Sequence, residues 1–116
     1  MIPIMNEIII ISSIGGTRGS NLIGTYNISK AADIQMVKNI AVEYGMNNVR
    51  ANCISPGLIK TDFARALWEN ESILKAATSH SALKRIGMPD EIAGGTLRTF
   101  EQSIGFYLTT RLSVST

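Results

Sequence analysis

Tyr26 and Lys30 stand four residues apart in Tyr26-Asn-Ile-Ser-Lys30, with Ser13 upstream of both. On a helix this spacing puts two side chains on one face, their Cβ atoms roughly 5–6 Å apart. A phenol titrates near about 10 and is a poor base at neutral pH. An ammonium beside it favours the phenolate and brings the tyrosine toward the range where acid–base catalysis is efficient. A serine hydroxyl delivered from another element orients a carbonyl or alcohol on the same centre. The plain alternative is an ordinary i,i+4 surface pair of modest worth. The elements that carry these residues must decide.

Glu7-Ile-Ile-Ile-Ile-Ser-Ser13 is a β-branched run ending in small polar residues and Gly15-Gly16. Four consecutive isoleucines without alternation predict a strand buried on both faces, as in a parallel sheet. The Gly/Ser/Thr-rich stretch 15–25 reads as a loop. From about residue 26 to 44 the pattern is helical, with Ile34, Val37, Ala41 and Tyr44 on one stripe and Ala32, Met36 and Ile40 on an adjacent apolar row. Gly45 is a stop signal. Val49-Arg-Ala-Asn-Cys-Ile-Ser55 reads as a second strand, closed by Pro56-Gly57. Strand, loop, helix, strand in this order predicts a βαβ unit with parallel strands.

Residues 8–16, 26–32 and Asn48-Val-Arg-Ala-Asn-Cys-Ile-Ser-Pro-Gly-Leu-Ile-Lys-Thr-Asp62 closely resemble the short-chain dehydrogenase/reductase family. Arg85-Ile-Gly-Met-Pro-Asp-Glu-Ile-Ala93 is similar to the stretch before that family's last helix. The resemblance covers about residues 1–93. It implies an α/β fold: a partial Rossmann-like, doubly wound parallel sheet, the carboxyl-terminal half of the family's domain. It also implies an NAD(P)-dependent oxidoreductase acting on a small-molecule carbonyl or alcohol. By resemblance, Ser13 orients substrate, Tyr26 is the general acid/base, and Lys30 tunes the tyrosine and bonds the nicotinamide ribose. Pro56 and Gly57 match the turn beside the nicotinamide, while Ile59 and Thr61 match positions that contact its carboxamide. In reduction, hydride arrives from the cofactor while Tyr26 protonates the developing alkoxide.

The chain also departs from the family pattern. The Gly-rich turn that lets backbone approach a pyrophosphate at a helix start has no counterpart. Gly15-Gly16-Thr-Arg-Gly19 has the wrong spacing and precedes a loop. The first four strands and the tetrad asparagine are missing, and Asn6, Asn21 and Asn27 stand in the wrong places to replace it. Met1-Ile-Pro-Ile-Met5 is similar to the end of the family's preceding helix. Residues 1–116 therefore read as one partial domain starting in mid-fold, with 94–116 a divergent tail. The cofactor is NAD or NADP with its pyrophosphate and adenosine site outside this chain. The residue that discriminates the two follows a strand the chain lacks. The isolated chain is expected to be inactive, and the alternative is a non-catalytic remnant or oligomerisation module.

With 116 residues, 45% hydrophobic and only 17% charged, apolar material is plentiful and its cover is scarce. A parallel sheet cut on one side leaves an edge and an apolar helix face bare, so marginal stability and self-association are expected. A net charge of +2 with scattered basic residues argues against nucleic-acid binding. Apolar runs fall far below the roughly 18 residues of a membrane span, and no cleavable secretory pattern is present. Lone His80 has no ligand-spaced partner, so no metal site is expected. Cys53 reads as a buried structural thiol. Together these predict a soluble, cytoplasmic protein.

Residues 61–83, with Phe63, Leu67, Trp68, Ile73 and Leu74, read either as an amphipathic surface helix or, by resemblance, as a lid over a substrate with an apolar body. The second apolar row on helix 26–44 calls for a further partner. In the family this helix pairs with its copy, which implies a homo-oligomer with Ile34, Met36 and Ile40 at the interface.

Overall fold

The isoleucine run forms β1 (Asn6–Ile11), and Val49–Pro56 forms β2. They pair in parallel, Glu7 opposite Arg50 and Ile10 opposite Cys53. A computed structural model describes residues 6–79, 81–102 and 109–114 of the chain. The expectations for residues 1–5 and for His80 lie outside the described residues.

Between the strands runs α1 (Gly24–Tyr44), preceded by a 3-10 turn at Ile14–Gly16 and followed by another at Gly45–Asn47. Asn48 then re-enters the sheet with φ 61°, a left-handed conformation that asparagine tolerates better than most residues. The predicted βαβ unit is therefore present. Ile34, Val37 and Ala41 from α1 pack on Ala51 and Cys53 of β2, with Ile10 and Ile40 at the margin. These residues are the core on that face of the sheet. Burying each such side chain contributes on the order of 1.5–3 kcal/mol for the larger aliphatics.

Three sequence expectations are corrected. Of the four isoleucines, Ile8 and Ile11 are 38% and 41% exposed, not buried on both faces, because β1 is the outer strand in the order β1-β2-β3. β2, the central strand, is buried from Arg50 to Pro56. Tyr44 does not complete the buried stripe of α1: it is exposed at the helix's last turn, where it runs into the Gly45–Asn47 turn. Ile34 belongs to the core rather than to an outward face. Ala32 and Met36 of the second row are exposed.

After β2 the chain forms α2 (Arg65–Trp68) and α3 (Glu71–Ser79). The side chain of Asn70 accepts from Ile73 N at 3.2 Å, a helix N-cap bond. Helix α4 (Pro89–Gln102) follows, with proline at its first position, where a missing N–H costs nothing. Glu91 reaches back to accept from Met88 N at 2.8 Å, one half of a capping box. The strand β3 (Thr109–Val114) adds in parallel to β2, Cys53 opposite Arg111. The result is a small parallel α/β sheet. It presents the carboxyl ends of β1 and β2 side by side.

Candidate active site

Ser12 and Ser13 sit where β1 ends. Ser12 continues the ladder, its N–H donating to Ile54 O at 2.7 Å. Its buried hydroxyl donates to Lys30 O at 2.6 Å and ties the strand end to α1. Ser13 caps the 3-10 turn, its Oγ accepting from Gly15 N at 3.0 Å. A hydroxyl that accepts this way still has its own proton to donate.

Tyr26 and Lys30 lie one turn apart near the start of α1, as their spacing predicts. Lys30 Nζ stands 5.6 Å from the centroid of the Tyr26 ring. The same ammonium donates to Ile11 O at 3.2 Å and lies 3.4 Å from Asp33 Oδ2. Lys30 thus joins the phenol-bearing helix to the last residue of β1, just ahead of Ser13. Gly16 brings the two segments together. A Cβ there would come within 2.8 Å of the Lys30 carbonyl carbon and oxygen, so only glycine allows this contact. That packing accounts for Gly16 with no phosphate invoked. Asn27, next to Tyr26, lies with its carboxamide against Gly15. Ser12, Gly16 and Asp33 are the residues that sequence reasoning missed. The Ser-Ser doublet at the strand end was the one available signal.

Pro56 is buried and ends β2, and Gly57 begins the exit. Beyond it, Gly87 N donates to Leu58 O at 3.0 Å and Lys60 N donates to Gly87 O at 2.9 Å. In a parallel bridge of this kind the intervening residue turns its own groups the other way. Ile59 O takes Thr61 N at 2.8 Å, and among the described residues Ile59 N has no acceptor. Thr61 Oγ1 accepts from Ala64 N at 3.2 Å. An outward backbone N–H beside a threonine hydroxyl suits a planar amide, which offers one acceptor and two donors. Residues 56–61 could therefore hold a planar amide. Ser13 follows the end of β1, Lys30 bonds Ile11 O there with Tyr26 one helical turn away, and the 56–61 turn leaves the end of β2, the adjacent strand.

Most of the chain is similar in backbone to solved dehydrogenases. One is a short-chain type dehydrogenase/reductase from Mycobacterium ulcerans, with TM-score 0.85 and 26% identity over 95% of this chain and 40% of that one. Another is 7 alpha-hydroxysteroid dehydrogenase complexed with NADH and 7-oxo glycochenodeoxycholic acid, with TM-score 0.81 and 28% identity over 93% and 41%. The fold is thus part of the Rossmann-like, doubly wound sheet of these enzymes. A family profile described as Enoyl-(Acyl carrier protein) reductase matches residues 1–105. Dehydrogenase/reductase SDR family member 4 of Bos taurus is 44% identical over 88 residues, 76% of this chain and 32% of that protein. The human dehydrogenase/reductase SDR family member 2, mitochondrial, is 38% identical over 87 residues, 75% and 31% respectively. The chain belongs to the short-chain dehydrogenase/reductase family. It spans about a third of the length of these curated relatives. Among the described residues no helix is long and apolar enough to cross a membrane.

Proposed function

We propose that this chain carries the proton-transfer half of a nicotinamide-dependent oxidoreductase that interconverts a carbonyl and an alcohol on a small molecule. The carrying observation is the double engagement of Lys30, bonded to Ile11 O while 5.6 Å from the Tyr26 ring. Tyr26 is the general acid/base: it protonates the developing alkoxide in reduction and takes the proton back in oxidation. Lys30 supplies a fixed positive charge on the phenol's side of the site. Ser13, its oxygen held by Gly15 N, donates a hydrogen bond to the substrate oxygen and fixes that oxygen near Tyr26. Tyr26, Lys30, Pro56, Gly57, Ile59 and Thr61 would hold the nicotinamide end of NAD or NADP, which when bound would provide the hydride chemistry. Helices α2 and α3, with Phe63 89% exposed just before them, act as a lid over a substrate with an apolar body. A buried lone thiol at Cys53 suits a reducing compartment such as the cytoplasm.

A second reading has its own observation. A second apolar row runs along α1 beside the one that packs on the sheet, and Ile28 and Met36 on it are 73% and 45% exposed. This supports a homo-oligomer through α1, and, for the chain alone, a non-catalytic oligomerisation module. Titration with NADH and NADPH separates the two. A change in nucleotide fluorescence supports the oxidoreductase, whereas emission unchanged up to millimolar levels supports the module.

A further inference from the structure

Trp68 is the one tryptophan of the chain, and it closes onto the segment that leaves β2. Its Nε1 donates to Thr61 O at 2.7 Å. Lys60 Nζ lies 5.2 Å from the ring centroid and Arg65 Cζ lies 5.9 Å from it, both within cation–π range. Arg65 is itself held by Asp62 Oδ1 at 2.6 Å. The turn is therefore fixed from two sides. Gly87 takes Leu58 O and Lys60 N, and Trp68 takes Thr61 O. What stays outward is Ile59 N, which has no acceptor among the described residues.

We propose that Trp68 is a positioning residue for the nicotinamide carboxamide, fixing the turn at Ile59 and Thr61 so that Ile59 N–H stays turned outward. Trp68 touches no reacting atom in this role, and the role builds on the nicotinamide reading above. A phenylalanine at 68 keeps an aromatic ring near the two cations and removes the N–H donor. The loss of one such bond shifts an equilibrium by about fivefold.

The test is amide hydrogen exchange on the full chain and its Trp68→Phe variant, followed by NADH titration of both. Exchange at Thr61 and Ala64 is expected to quicken about fivefold, with α1 amides unchanged, and NADH affinity to fall by a similar factor. Unchanged exchange at those two amides overturns the proposal, as does unchanged NADH affinity in a variant whose exchange has quickened. If the wild-type chain binds no NADH, the cofactor reading fails, and the positioning role for the carboxamide falls with it; the exchange rates then report separately whether the clasp exists. Should the variant not fold, the wild-type chain offers a single indole N–H resonance. Protection of that proton from solvent supports the clasp, and rapid exchange overturns it.

Discussion

Lys30 Nζ donates to Ile11 O at 3.2 Å, so the ammonium that faces Tyr26 is anchored to the strand that delivers Ser13. The bond makes one cation serve two elements. Replacing Lys30 with Met removes a charge-assisted bond and the contact with Asp33 together, and is expected to cost about 1–2 kcal/mol in a urea titration. Asp33→Asn removes only the partly exposed ion pair and is expected to cost about 0.5 kcal/mol or less. Equal losses in the two variants would show that the Ile11 bond contributes nothing.

Tyr26→Phe keeps the ring beside Lys30 and deletes the one proton the site can exchange with substrate. In any preparation that turns over, the rate is expected to drop by at least about a hundredfold. NADH affinity should hold, since the hydroxyl is a minor part of any nucleotide contact. A Phe variant with wild-type turnover would remove Tyr26 from the mechanism.

Gly16 and Gly19 lie in the same loop but in different surroundings. A methyl at Gly16 meets Lys30 backbone at 2.8 Å, whereas one at Gly19 meets nothing within 4 Å. Gly16→Ala must push α1 off the strand end and is expected to cost about 1–3 kcal/mol. Gly19→Ala is expected to be neutral or slightly stabilising through the unfolded chain. Thermal melts of both variants decide it, and a tolerated Gly16→Ala would mean that the contact yields.

The Glu91 carboxyl is held down to about 2, from 4.5, by its bonds to Arg85 and then by Met88 N–H. Arg85 is correspondingly raised. Because the folded value lies below the unfolded one, the pair's contribution is present above about pH 4.5 and disappears as pH falls toward about 2. Acidification through that window is expected to loosen the amino end of α4 in wild type. Glu91→Gln should flatten this part of the profile, and identical acid profiles would show that the pair contributes nothing to it.

How much of this could be read in the chain depends on the range of each interaction. The unit β1-α1-β2 was legible because isoleucine clustering and a helical stripe are local signals. The placement of Ser13 after a strand end and of Tyr26 and Lys30 one turn apart at a helix start was legible because fixed spacing carries it. The exposure of Ile8 and Ile11 was not, since burial of a strand face depends on what lies beside it. Ile34, read both on the buried stripe and at the interface, is core, and Tyr44 of the same stripe is exposed, because an apolar row does not say how far along the helix the sheet covers it. The bonds from Lys30 to Ile11 and from Trp68 to Thr61 join residues whose types are unremarkable and whose meeting only the folded chain produces.

The apolar ridge on α1 repeats at i+4: Ile28, Ala32, Met36, Ile40 and Tyr44. Ile40 leans on the core and is unsuitable for a test of association, because a charge there would damage the monomer. Ile28 and Met36 are exposed at 73% and 45%, so lysine at both should leave the fold nearly unchanged, as surface substitutions usually do. Ridges of this kind pack into the grooves of a second helix, and two buried charges without partners would make that packing costly. The double variant Ile28→Lys, Met36→Lys is therefore expected to sediment as a smaller species than the wild-type chain, with an unchanged far-ultraviolet spectrum. An identical sedimentation coefficient for the two proteins would remove α1 from the interface.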